Sequence, residues 1–275
     1  IIEPGNNLGG LTNGGLGATD IGNKYAITGL AKDFYRRVGR YYNKFEQWTF
    51  EPHVASKVYD DLIREANLKI YKNRRLVSVD KRDGSIREIA VEDSGNPSAK
   101  TNYTVKAKMF IDCTYEGDLM AKAGVSYITG RESNDQYGET YNGVQLSDFH
   151  QLPDGIDPYK KPGDPSSGLL WGIGTGSLAA RGSGDKKIQA YNFRLALTKN
   201  KSNQLPFTRP QNYNSDHYEL LARIIAKEKW TTISSGFTID TLANGEIKIH
   251  HTGGFLIKNM PNGKTDFNNF GGFST

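Results

Sequence analysis

The chain has 275 residues, with 35 Lys and Arg against 30 Asp and Glu, a net charge of +5 and one cysteine, Cys113. That length exceeds what one hydrophobic core usually organises, so one large domain or two unequal lobes are expected. A single cysteine excludes an internal disulfide and any multi-cysteine metal site, and the interspersed charges form no basic stripe of the kind that binds nucleic acid.

No run reaches the ~18 apolar residues that a membrane span requires, and the first residues lack the zones of a signal peptide. The chain reads as soluble, cytoplasmic or periplasmic. Ile1 to Gly5 looks like the last step of a strand leaving into a loop, with no initiator Met, and Phe270 to Thr275 closes no element. A fragment of a larger protein is therefore expected.

Residues 5 to 29 hold glycines at 5, 9, 10, 14, 15, 17, 22 and 29, a density that suits backbone lying close against a ligand. From Thr28, a plausible N-cap, Leu30, Phe34, Val38 and Tyr41/Tyr42 recur at helical spacing despite Gly39. Pro52 starts a second helix with Val54, Val58, Leu62, Ile63 and Ala66 on its buried stripe. The period then becomes alternating. Leu68 to Tyr71 reads as a short strand, Leu76 to Val79 and Ile86 to Val91 flank an Asp83-Gly84 turn, and Tyr103 to Cys113 reads as one long strand. Leu119 to Ala123 is a short helix.

Residues 130 to 216 are rich in Gly, Pro, Asn, Asp and Ser, with a strand-like island at Ile188 to Thr198. A helix is expected from Tyr218 to about Lys229. Phe237 to Leu242 and Ile247 to His251 should be strands around Asn244-Gly245. His250 and His251 are adjacent in a strand, so they face opposite ways and cannot readily share a metal; no metal site is inferred.

An acidic residue at a strand end before a glycine-rich loop is how doubly wound nucleotide-binding folds hold a ribose. Three blocks coincide: Ile2-Glu3-Pro4-Gly5-Asn6-Asn7-Leu8-Gly9-Gly10-Leu11, Asn73-Arg74-Arg75-Leu76-Val77-Ser78-Val79 and Phe110-Ile111-Asp112-Cys113-Thr114-Tyr115-Glu116-Gly117-Asp118. Together they resemble a bacterial family of FAD-dependent oxidoreductases with a glutathione-reductase-type nucleotide domain. The likeness extends to Trp48 to His53 and Asn262 to Asp266.

The resemblance implies that Glu3 holds the adenosine ribose, that Gly9, Gly10, Gly14 and Gly15 lie along the pyrophosphate and flavin, and that the backbone at Leu76 meets the adenine. It also implies that the turn from Thr114 to Asp118 returns to the flavin side. Lys264, Asp266 and Asn268, two apart in a Gly/Asn loop, are candidate substrate contacts on the same basis. The family's first strand and G-x-G-x-x-G turn have no counterpart here. Cys113 is expected to pack beside the nucleotide, and His53 to be a surface or packing residue.

The expected fold class is α/β: a Rossmann-like FAD-binding domain, incomplete and including a β-meander, over 1–129, and a mixed β-rich substrate lobe over 130–275, truncated at its end. The expected function is hydride transfer to FAD from a small-molecule or carbohydrate-related substrate, with the electron acceptor unnamed. A non-catalytic carbohydrate-binding or surface protein, using its Tyr and Trp platforms, is the alternative.

Overall fold

In a computed structural model the described residues are 1–269 apart from 20, 99, 101, 146–151, 190, 235, 242 and 244–246, with backbone alone for 237–240, 247–252 and 269. The chain divides into two units, Ile1–Ile128 and Thr129–Thr275.

In the first unit the helical periodicity becomes α1 (Gly29–Tyr41) and α2 (Pro52–Glu65). Phe34 and Val38 of α1 meet Val54, Ala55 and Val58 of α2 across Phe50, with Tyr35, Tyr42, Tyr59 and Leu62 packed around them. Pro52 sits in the first turn of α2, where its missing N–H leaves no bond unmade. Both helices end on a left-handed asparagine, Asn43 at φ 55° and Asn67 at φ 48°. Lys44 N–H then reaches Gly39 O at 2.9 Å and Leu68 N–H reaches Ile63 O at 3.1 Å, which satisfies carbonyls that a helix end leaves orphaned.

Gly39 is required by close approach. A Cβ there would stand 2.7 Å from Lys44 O and from Glu46 Cα, where the chain doubles back over α1.

The meander is β1 (Arg74–Arg82), β2 (Ser85–Asp93) and β3 (Tyr103–Lys106), all antiparallel in the order β1-β2-β3. Asp83 at φ 51° and Gly84 at φ 75° make the tight turn that the sequence announces. Arg74 pairs with Asp93, Arg75 with Glu92 and Lys106 with Glu88, each directly across the ladder, so charge and register agree.

The strand expected to continue to Cys113 ends instead at Lys106, and Met109 and Ile111 are 76% and 78% exposed. No strand lies beside that segment among the described residues, and an extended apolar run without a ladder partner cannot bury its faces. Leu68 to Tyr71 differs as well. It joins no hairpin and runs parallel to the first residues, with an Ile2–Tyr71 bridge, Tyr71 N–H donating to Ile1 O and Glu3 N–H to Tyr71 O, both at 2.9 Å. Among the described residues the sheets are antiparallel throughout, and parallel pairing in this unit is confined to that bridge. The short helix α3 spans Asp118–Lys122.

In the second unit, α4 (Asn134–Tyr137) precedes a hairpin of β4 (Tyr159–Lys161) and β5 (Asp164–Leu169). The sequence hides this hairpin, because Asp164, Pro165, Ser166, Ser167 and Gly168 are poor strand formers; Pro162-Gly163, with Gly163 at φ 75°, supplies the turn. The strand-like island at 188–198 contracts to β6 (Leu195–Thr198), whose length is set by its antiparallel partner β10 (Lys264–Asn269). β9 (Phe255–Asn259) lies on the other side of β10, giving the order β6-β10-β9.

The helix α5 (Glu219–Glu228) carries buried Ile224. β7 (Gly236–Thr241) and β8 (Ile247–Gly253) pair antiparallel, while their expected Asn244-Gly245 turn and the His250 and His251 side chains lie outside what is described. Arg131 and Asp185 join by two backbone hydrogen bonds, at 2.9 and 3.0 Å, and by a guanidinium–carboxylate pair that holds the Asp185 carboxyl down at about 2.

Candidate functional site

Glu3 leaves the short parallel step at the point where the chain turns into the glycine loop. Its Oε1 accepts from Gly5 N–H at 2.7 Å, and a Cβ on Gly5 would crowd that oxygen at 3.1 Å. The other carboxylate oxygen has no partner among the described residues. One oxygen thus fixes the plane of the group, and the second is left to accept.

The loop that follows is braced against α2. Asn13, 9% exposed, donates from Nδ2 to Leu8 O at 2.9 Å and accepts at Oδ1 from Ser56 Oγ at 2.6 Å. Gly9, at φ 94°, presses on the Tyr59 ring so closely that a Cβ would fall 2.2 Å from Cε2. Gly10 opens a 3₁₀ turn at φ 54°, and a Cβ on it would meet nothing within 4 Å. Gly14 N–H is spent on Gly10 O at 2.9 Å, and Gly15 turns the chain at φ 128°. The N–H groups of Gly9, Gly10 and Leu11 have no acceptor among the described residues.

Four of the expected positions therefore differ in situation: Gly10 faces open space, Gly9 packs on a ring, Gly14 closes the loop on itself and Gly15 bends it. The bracing residues Asn13, Ser56 and Tyr59 escaped the sequence reading. Asn13 lies inside the glycine run, but its partner is 43 positions away.

Leu76 lies in β1 opposite Val91, beside a break in register between Leu76 and Ser78 that leaves Val77 as the extra residue. The turn before α3 is organised by Asp112. Its Oδ1 accepts from the Thr114 N–H at 2.9 Å and hydroxyl at 2.7 Å, and its Oδ2 from Met120 N–H at 2.8 Å. Burial opposes ionisation of Asp112, but these bonds outweigh it and hold the carboxyl below the usual carboxylate range. Thr114 Oγ1 in turn accepts from Asp118 N–H at 2.9 Å. The Thr114 hydroxyl is engaged inside the turn, while Asp118 is exposed at the first turn of α3. Cys113 is exposed too, contrary to the packed position expected for it, because the segment carrying it has no neighbouring strand to cover it.

In the second unit, Lys264, Asp266 and Asn268 stand in β10 rather than in a loop, so they share one face. Asp266, with a side chain 1% exposed, is paired with Arg194, and Asn268 Oδ1 accepts from Asn192 Nδ2 at 2.9 Å. Asp266 is committed to that buried pair. Arg194 carried no local signal, lying 72 positions from its partner.

The family described as FAD dependent oxidoreductase matches residues 1–270 of the chain. No curated protein and no solved structure gives a significant match. Among the described residues, no helix is long and apolar enough to cross a membrane.

Proposed function

This chain belongs to the FAD-dependent oxidoreductase family, with FAD as its cofactor, and from that premise we propose that its first unit holds the adenosine and pyrophosphate of FAD while a small molecule, sugar-related or otherwise, is oxidised. The family implies an α/β FAD-binding fold. When bound, the flavin supplies the electron chemistry by taking a hydride equivalent from the substrate.

The residues present suit that group. Glu3 offers an oriented carboxylate oxygen to ribose hydroxyls, and the amides of Gly9, Gly10 and Leu11 offer donors to pyrophosphate oxygens. Gly10 leaves the space that a close approach requires. Gly14 and Gly15 shape the loop, and Asn13 with Ser56 keeps it from collapsing onto the ligand's place. The β1 backbone at Leu76 is offered to the adenine. Asp112 and Thr114 hold the turn that presents Asp118 toward the flavin. Lys264 and Asn268 share the β10 face proposed to meet a substrate, and Asp266, on the same face, is held by Arg194.

The observation carrying this reading is the Glu3 carboxylate, tied by one oxygen to Gly5 N–H at 2.7 Å and open at the other. Glu3→Ala should weaken FAD binding, measured by quenching of flavin fluorescence, by about 1.5–3 kcal/mol, roughly tenfold or more. An unchanged dissociation constant in a variant with the native circular dichroism spectrum would remove Glu3 from the site.

A further inference from the structure

A cleft of about 560 Å³ lies wholly within the second unit, between the end of β5 and the 3₁₀ turn that leads into α5. That size falls inside the ~300–1,000 Å³ range of small-molecule sites. Its floor is an aromatic pair: the rings of Trp171 and His217 stack at 4.3 Å with 15° between their planes, and Trp171 remains 52% exposed. Around the pair stand Lys160, Asn214, Asp216 and Glu219.

The frame is fixed from below. Leu170, 7% exposed, anchors Trp171 by donating its N–H to Pro158 O at 2.8 Å. Asn214 accepts from Asp216 N–H at 3.0 Å, which sets the turn presenting Asp216 and His217. Arg223 of α5 donates to Asp157 O at 2.9 Å, Tyr159 O at 2.7 Å and Lys160 O at 3.3 Å, holding the hairpin that carries Lys160 against the helix that carries Glu219.

Charge narrows the occupant. Lys160 offsets Asp216, and Arg223 is shared between Glu219 at 2.8 Å and Asp157 at 3.5 Å, so the cleft and its frame have no positive excess to attract a phosphate or a carboxylate. Its polar groups instead mix a donor-only ammonium, an acceptor-only carboxylate and an amide that is both. Hydroxyl groups, each donor and acceptor at once, match such a mixture, and a ring with C–H bonds on one face matches the exposed indole.

We propose that this cleft binds a neutral saccharide, with Trp171 and His217 as the platform for a sugar ring and Lys160, Asn214 and Asp216 as partners of its hydroxyls. Binding here stands independently of the flavin reading of the first unit, whether the sugar is the electron donor or is held for another purpose.

The test titrates the full chain by calorimetry with neutral tetrasaccharides, the β-1,4- and α-1,4-glucans and the β-1,4-xylan, and with adenosine and glucosamine as planar and cationic comparators. At least one tetrasaccharide should bind saturably and better than either comparator. Trp171→Ala should weaken it about tenfold or more, and Trp171→Phe should recover most of the loss. Asp216→Asn should also weaken it, while FAD binding stays unchanged in all three. A Trp171 with only a packing role would lower the melting temperature and leave the affinity alone. That outcome, the absence of saturable binding to the folded protein at millimolar sugar, or a preference for adenosine or glucosamine, overturns the proposal and leaves the Glu3 experiment unaffected.

Discussion

Tyr42 and Glu51 exchange two hydrogen bonds: the Tyr42 hydroxyl donates to Glu51 Oε2 at 3.1 Å and accepts from Glu51 N–H at 3.0 Å. Glu51 is 2% exposed and stands just before α2, where the helix dipole favours a negative charge. The pair links the end of α1 to the start of α2.

Burial, helped by the neighbouring Glu51 charge, pushes the Tyr42 phenol up from 10.0 to about 12, although the Glu51 N–H pulls the other way. A folded-state pKa above the unfolded one contributes stability that is complete below pH 10.0 and lost as pH rises through about 12. Tyr42→Phe should flatten that alkaline limb and, at neutral pH, cost about 1–2 kcal/mol through the lost bonds. Urea unfolding of both proteins at several pH values between neutral and strongly alkaline reads both effects.

Ser56→Ala leaves Asn13 Oδ1 without its 2.6 Å donor inside a part-buried site. The expected cost is about 1–3 kcal/mol. Because Asn13 braces the loop carrying Gly9 and Gly10, FAD should also dissociate faster, and stopped-flow release of flavin fluorescence measures that separately from the melting temperature.

Gly39→Ala should destabilise the first unit even though alanine is the better helix former by about 1 kcal/mol. The added Cβ meets backbone at 2.7 Å, and backbone cannot rotate away. A net loss of about 1–3 kcal/mol in denaturant unfolding is expected from overpacking; a gain would mean that the return segment at 44–46 yields freely.

Asp266→Ala removes a 1% exposed carboxylate from its pair with Arg194 and should cost about 1–3 kcal/mol without any substrate present. Replacing both partners with leucine should restore much of that loss. Differential scanning calorimetry of the single and double variants separates a structural carboxylate from one that acts only on a ligand.

The helices were legible because Phe34, Val38, Val54 and Val58 repeat at helical spacing and meet one another, and the β1–β2 hairpin because Asp83-Gly84 permits only a tight turn. What escaped depends on residues distant in sequence. Nothing near Gly39 reveals that Glu46 will lie on it, and nothing near Asp266 reveals Arg194. The β9–β10 turn was open to reading, since Asn262 at φ 60° and Gly263 at φ 67° carry the dipeptide that marks such turns elsewhere, yet the surrounding Asn and Asp suggested a loop. At the candidate site, Glu3 and the glycine loop could be found from spacing. The division of labour among the glycines, with one packed, one open and two shaping the loop, rests on Tyr59 and Ser56, which only α2 brings near.

Arg223 reaches from α5 to three backbone carbonyls of one short segment, those of Asp157, Tyr159 and Lys160. A two-stranded hairpin is marginal by itself in water, and a ten-residue helix is little better. Joined by one guanidinium, they become a single cooperative element. Their amides should therefore exchange with deuterium together, in one opening event, and shortening that side chain would let helix and hairpin breathe separately.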